Sequence, residues 1–287
     1  MAKDTFLNRK TTLNVKGRLV DLVVPAVMGI LNLTSDSFYS KSRMDTVDLA
    51  LIRAAEIIEE GGMFIDIGAY SSRPGAADVS TEEETEKIVK AVGAISRDFP
   101  DILLSIDTFR AGVARAAVEA GAHMINDISA GEMDEAMFET VAGLNVPYIM
   151  MHMRGTPQTM QQQTNYQDMM VEIVSYFSKK LYILKKLGLK DIILDPGFGF
   201  AKTLDQNYEL LRQLHDLDIF ELPVLTGLSR KSMIYKFLGG GPEDALNGTT
   251  ALNTIALMKG ANILRVHDVR AAAECIALFR KTQQKNS

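Results

Sequence analysis

Asp107, Asn126 and Asp195 each stand in or at the end of a short apolar run, while Lys231 follows another such run and Arg265 and His267 lie in a last one. Taken singly, each has an ordinary explanation. Asp107 or Asp195 could cap a helix or form half of an ion pair, and Asn126 could simply form a turn. Arg230 and Lys231 could be solvated charges, His267 a rim histidine and Met151 core filler. Taken together they form a set: three polar acceptors opposite several cations require either a polar ligand or extensive mutual pairing. Arg265 and His267 stand two residues apart, a spacing that puts both on one face of a strand, and paired cations of that kind suit a phosphate. Asn32 ends an earlier run and leads into Thr34-Ser35-Asp36-Ser37-Phe38. The next run leads to Ser71-Ser72-Arg73-Pro74-Gly75.

The elements that must position these residues are legible in the hydrophobic pattern. Apolar runs recur at 26–33, 63–68, 102–108, 123–128, 147–153, 192–197, 223–229 and 263–268. Their length and near-continuous apolarity mark strands buried on both faces, the signature of a parallel sheet. Helical patterns fill the intervals. Ser80-Thr81-Glu82-Glu83 reads as a capping box ahead of Ile88, Val92 and Ile95, and Thr203-Leu204-Asp205-Gln206 as a second. Asp45 is the expected cap of a first helix that aligns Val47, Leu51, Ala54 and Ile58 and ends at Gly61-Gly62. The pattern over 165–187 is the longest. Eight strand-then-helix units favour a (β/α)8 TIM barrel, read as a single domain over 1–287, whose chemistry belongs at the C-terminal strand ends. Before them, Leu13, Val15, Leu19 and Leu22 around Lys16-Gly17 predict a short N-terminal β-hairpin capping the lower end.

Composition excludes several classes. With 287 residues, 47% hydrophobic and 23% charged, the chain is neither disordered nor fibrous. A net charge of −5 supplies no bulk field for nucleic acid or an anionic membrane. One cysteine, Cys275, forms no intrachain disulfide, and the most apolar early stretch, 23–33, is too short to span a bilayer. Together with the absence of an apolar signal core after Met1, this gives a cytoplasmic expectation. The histidines fall on separate units, which gives no zinc cluster. No dinucleotide fingerprint, P-loop or nucleophile elbow is present.

In that frame the chain resembles the dihydropteroate synthase family along nearly its whole length. The segments that carry the resemblance are Met28-Gly29-Ile30-Leu31-Asn32-Leu33-Thr34 with Asp36-Ser37-Phe38, then Ile65-Asp66-Ile67-Gly68 and Ser72-Arg73-Pro74-Gly75. Ser105-Ile106-Asp107-Thr108, Ile125-Asn126-Asp127, Met151-His152-Met153 and Asp195-Pro196-Gly197-Phe198-Gly199-Phe200 follow. Ser229-Arg230-Lys231-Ser232 and Arg265-Val266-His267-Asp268 complete the series.

The resemblance implies a TIM-barrel transferase of folate biosynthesis, the sulfonamide target, acting as a homodimer with Mg²⁺. Its reaction joins 7,8-dihydropterin-6-ylmethyl diphosphate to 4-aminobenzoate and releases diphosphate. The resemblance implies pterin contacts at Asp107, Asn126, Met151, Asp195 and Lys231, and diphosphate contacts at Asn32, Ser72, Arg73, Arg265 and His267. It places 4-aminobenzoate against Phe38, Arg73, Pro74, Phe198, Lys231 and Ser232, and makes Asn32 the metal ligand. Asp107, Lys231, Arg265 and His267 are the expected catalytic set. The family motif is altered at Ser35, Ser40, Lys41 and Ser42, and at Ala69-Tyr70. Two alternatives remain open at this level: the pterin domain of a corrinoid-dependent methyltransferase, and a non-catalytic pterin-binding paralogue. For the dimer, the last helix offers an apolar face of Ala272, Cys275, Ile276 and Phe279, which could equally pack on the barrel.

Overall fold

The structure is a computed structural model that describes residues 11–33, 46–70 and 79–284. Ten strands are present among them. An antiparallel hairpin of β1 (Thr12–Val15) and β2 (Arg18–Asp21) precedes the barrel strands β3 (Ala26–Asn32), β4 (Phe64–Gly68), β5 (Leu103–Asp107) and β6 (Met124–Asp127). β7 (Tyr148–Met151), β8 (Ile192–Asp195), β9 (Leu225–Thr226) and β10 (Ile263–Val266) complete the barrel. Every barrel strand falls inside one of the apolar runs. The parallel sheet runs β8-β7-β6-β5-β4-β3-β10-β9. A single parallel bridge, Leu194 to Val224, and the Leu194 N–H donated to the Pro223 carbonyl at 2.9 Å join its two ends.

Helices separate the strands: α1 (Thr46–Glu59), α2 (Thr81–Asp98), α3 (Ala111–Ala120), α4 (Met137–Leu144), α5 (Met169–Lys186) and α6 (Leu204–Arg212). Two helices, α7 (Ser232–Leu238) and α8 (Leu246–Met258), lie between β9 and β10, and α9 (Val269–Gln283) ends the described fold. Ser80 caps α2, its hydroxyl accepting from the Glu83 N–H, and three glutamates in the first turn complement the helix dipole. Thr203 and Gln206 form the reciprocal capping box of α6. In α1 the fully buried line is Ala50, Ala54 and Ile57, with Leu51 and Ile58 flanking it. Asp45, its expected cap, lies outside the described residues.

The barrel interior is layered, and the layering follows from the two-residue period of a strand. Met28, Phe64, Leu103, Met124, Ile149, Ile193, Leu225 and Ile263 form an apolar lower layer, sealed from below by Leu13, Val15, Val20 and Leu22 of the hairpin segment. The expected face of that hairpin needs one correction. Leu19 is 74% exposed and Val20 takes the inward position. The turn at Lys16-Gly17 pairs Leu13 with Val20 and Val15 with Arg18, so Leu19 points the other way. Two residues further along the strands, the same inward face carries Asp66, Ser105, Asn126, Met151, Asp195 and Arg265. An apolar floor beneath a polar storey is thus written into the strand parity.

The apolar face of α9 is also settled. Ala272, Cys275 and Ile276 are buried in the chain's own core, with Phe279 packed against them, because α9 lies on β3 and α8. That face is not available to a second copy.

Candidate active site

The polar storey converges at the C-terminal mouth of the barrel. Arg265, on β10, reaches across to two carboxylates: its Nε donates to Asp66 Oδ2 and its Nη2 to Asp107 Oδ2, each at 2.6 Å. The same Asp66 oxygen accepts from Asn126 Nδ2 at 2.9 Å. One buried carboxylate on β4 therefore fixes two side chains of the expected site. The second oxygen of Asp66, Oδ1, is buried and has no hydrogen-bond partner. Burial pushes the Asp107 carboxyl up to about 7; Arg265 opposes this, while the charges of Asp66, Glu84 and Asp127 add to it.

Neighbouring acids have other duties. Asp127, next along β6, accepts from the Ser129 N–H and hydroxyl, the Gly131 N–H and the Tyr148 hydroxyl, which ties down the loop after β6. Glu84, fully buried on α2, takes Thr108 Oγ1 at 2.7 Å and Arg110 Nη1 at 2.6 Å and anchors the loop after β5.

Asp195 ends β8 and starts a tight loop. Its Oδ1 accepts from the Gly197 N–H at 2.8 Å. Gly197 has φ +73°, and a Cβ there would lie 2.1 Å from the His152 carbonyl oxygen, so only glycine fits. Burial raises the Asp195 carboxyl, opposed by the Gly197 N–H and by Lys231, Arg265 and Lys202. Lys231 precedes α7; its ammonium donates to the Phe198 carbonyl and stands 4.4 Å from the centre of the Phe200 ring. Burial lowers it to about 8, against the pull of Asp195.

Other expected residues take these places. Met151 packs beside Phe109, Ile128, Met153 and Met160 at the mouth. Asn32 ends β3, half-buried. Ser232 opens α7 and is exposed. His267 Nδ1 meets Ser229 Oγ at 3.0 Å, and Arg230 forms a two-pronged pair with Asp268 at 2.9 and 2.7 Å; both clamp the loop after β9 to that after β10. The Phe198 side chain is 1% exposed in the core between barrel and helices, and only its carbonyl reaches Lys231. The ring at the mouth beside Lys231 belongs to Phe200. Phe38, Ser72, Arg73 and Pro74 lie outside the described residues.

Sequence reading assigned no role to Asp66, Lys202 or Phe200. For Asp66 a signal existed: an acid inside Phe64-Ile65-Asp66-Ile67, on the same strand face as Phe64, can only enter the barrel.

The pterin binding enzyme family matches residues 28–267, from within the first barrel strand to just past the last. The chain belongs to that family. Dihydropteroate synthase of Escherichia coli (strain K12) is 41% identical over 269 residues, covering 93% of this chain and 95% of that protein. The Synechocystis enzyme of the same name is 44% identical over 251 residues, 86% of each. Among solved structures of the family, Yersinia pestis dihydropteroate synthase with a sulfonamide drug complex superposes with a TM-score of 0.89 at 41% identity, covering 95% of this chain and 99% of that one. The Xanthomonas albilineans enzyme with 4-aminobenzoic acid gives 0.90 at 36% identity, covering 96% and 99%.

Proposed function

We infer that this chain catalyses the dihydropteroate synthase reaction, transferring a dihydropterin methylene from diphosphate oxygen to the nitrogen of 4-aminobenzoate. The observation that carries the reading is the convergence of Asp107, Asn126, Asp195, Lys231 and Arg265 on one barrel mouth in a chain of this family.

The residues make chemical sense of it. A pterin offers adjacent ring N–H and amino donors, which a carboxylate accepts as it accepts a guanidinium. Asp195 and Asp107 supply carboxylates on two sides of the mouth, Asn126 an amide held in place by Asp66, and Lys231 a donor. Met151 gives the ring an apolar wall. Breaking the methylene–oxygen bond spreads positive charge into the pterin and adds negative charge to the leaving diphosphate. Asp107 stabilises the first, and Arg265 with His267, joined by Ser72 and Arg73, the second, so that catalysis is mainly electrostatic preorganisation. The arylamine is neutral at pH 7, needs no strong base, and gives up one proton once the C–N bond forms. Phe38, Pro74, Lys231 and Ser232 would seat it. We assign the aromatic surface beside Lys231 to Phe200, since Phe198 lies in the core.

Among the described residues no three His, Cys, Asp or Glu side chains are grouped to hold an ion. Asn32, half-buried at the strand end, offers one amide oxygen. That donor fits Mg²⁺ if diphosphate oxygens and water complete its octahedron, and the ion would then neutralise charge on the leaving group.

Sulfonamides, present on the Yersinia pestis relative, would compete here with 4-aminobenzoate. A homodimer would use exposed apolar residues rather than the buried face of α9; Ile255 and Met258 on α8 and Leu278 on α9 are 40%, 71% and 71% exposed. No helix among the described residues is long and apolar enough to cross a membrane, and one buried free cysteine fits a cytoplasmic setting. Diphosphate release on mixing both substrates with Mg²⁺ tests the reading. No release, with pterin still bound, would leave a non-catalytic paralogue.

A further inference from the structure

Among the described residues, Lys202 is the one buried cation of this region to which the mechanism above gives no task. It is 4% exposed. Its ammonium donates to the Gly197 carbonyl at 3.0 Å and the Phe200 carbonyl at 3.1 Å, and meets His152 Nδ1 at 3.1 Å. Three donors find three acceptors. Burial holds His152 well below its ordinary range, so the imidazole is neutral and its Nδ1 can accept.

The loop is shaped around that ammonium. Gly197, Gly199 and Ala201 all adopt left-handed backbone, with φ of 73°, 79° and 50°. These turns aim two carbonyls inward at one point. A non-glycine residue in that region is strained, and Ala201 precedes Lys202 directly. The loop also bears two groups assigned to ligand, Asp195 at its root and the Phe200 ring beside the Lys231 ammonium, together with the Phe198 carbonyl that holds that ammonium. His152 ties it to β7, since its N–H donates to the Asp195 carbonyl at 2.9 Å.

We propose that Lys202 is a positioning residue for the pterin site: its ammonium gathers the 195–201 loop from within and adds to the positive charge, shared with Lys231 and Arg265, that favours an ionised Asp195 carboxylate. The inference rests on the functional reading above. All three direct partners of Lys202 are uncharged, and a methionine in its place would desolvate more easily. Asp195 is the carboxylate that acts on it, and Lys231 and Arg154 are the cations that oppose its charge. Burial lowers Lys202 to about 7. Above that pH it keeps two donors for three acceptors and loses its charge.

The test is calorimetry of 6-hydroxymethylpterin across pH, on the full chain, with Lys202→Met and Lys202→Arg. Lys202→Met is expected to fold and to bind at least ~10-fold more weakly at pH 6.5. Its acid limb should move up by several tenths of a pH unit, because Asp195 loses a favourable charge. Lys202→Arg keeps the charge at all pH, so its affinity should extend further into alkali than that of the wild type. That second variant reports even if Lys202→Met does not fold. An unmoved acid limb in Lys202→Met, or an unmoved alkaline limb in Lys202→Arg, would reduce Lys202 to a packing residue and overturn the proposal. If the wild type takes up no pterin at any pH, the functional reading itself fails, and this inference with it.

Discussion

Asp107→Asn should silence turnover and, by the same physics, flatten the dependence of stability on pH. In the folded chain the Asp107 carboxyl sits at about 7, against 3.8 for an ordinary aspartate. A raised folded value means that the native state holds the proton to higher pH than the unfolded chain does. The stabilisation is complete below 3.8 and is lost as pH rises through 7. At ~1.4 kcal/mol per unit, the two units between pH 5 and 7 remove about 3 kcal/mol. Asparagine has nothing to ionise. Near pH 5 it resembles the protonated acid closely, so the variant and wild type should differ little. By pH 8 the wild type should have lost about 3 kcal/mol more than the variant. Asp195, which burial also raises, remains in both proteins; Asp127 remains too, but in the variant it is freed of the Asp107 charge that adds to its own, which shifts the difference in the same direction. Urea unfolding at pH 5 and pH 8 measures this directly. Turnover should fall by ~10²–10³, since the lost charge faced a cation-like transition state. Parallel pH dependence in the two proteins would show that Asp107 is not held protonated by its burial, and turnover within a few-fold of wild type would remove it from the mechanism.

Arg265→Ala should weaken a diphosphate-bearing pterin far more than a pterin without it, and equal losses in calorimetry would give Arg265 a general structural role. Asp66→Ala leaves Arg265 with one carboxylate and Asn126 without its acceptor; chemical unfolding should show a loss of ~3–5 kcal/mol, and a change under 1 kcal/mol would mean that the pair is not strongly coupled to folding. Gly197→Ala drives a Cβ to 2.1 Å from a backbone oxygen in left-handed geometry. It should fail to accumulate as folded protein, and a soluble variant with wild-type pterin affinity would refute the argument for that turn.

Much of the barrel was legible because parallel strands buried on both faces leave a period of their own, and helix caps such as Ser80 and Thr203 have fixed side-chain chemistry. The polar ends of those strands were legible for the same reason: acids and amides do not belong in such runs without a task. What escaped was side-chain direction and partnership. Leu19 and Val20 are adjacent and both apolar, so only the register chosen at Lys16-Gly17 decides which enters the core. The stripe on α9 looks the same whether a barrel or a second copy covers it. Phe198 and Phe200 share a type and a strand parity, and the left-handed turns at Gly197 and Gly199 separate core ring from mouth ring. Lys202 reads as a surface lysine until three acceptors are seen to surround it.

The way the sheet closes has a mechanical meaning for the enzyme. Seven strand neighbours are joined by continuous ladders, yet β8 and β9 meet through one bridge, and β9 has only two residues. A cylinder sewn this unevenly parts first along its thinnest stitch. That stitch runs between Asp195 on one side and the segment leading to Lys231 on the other. Breathing of the wall there would widen the span between the carboxylate and the ammonium that the proposed function assigns to the pterin. The contact from Lys231 to the Phe198 carbonyl lies over this line like a buckle, and a ligand held by both groups would fasten it a second time. On that assignment substrate would act on the barrel as a fastener, lending the wall the rigidity that its own backbone leaves incomplete.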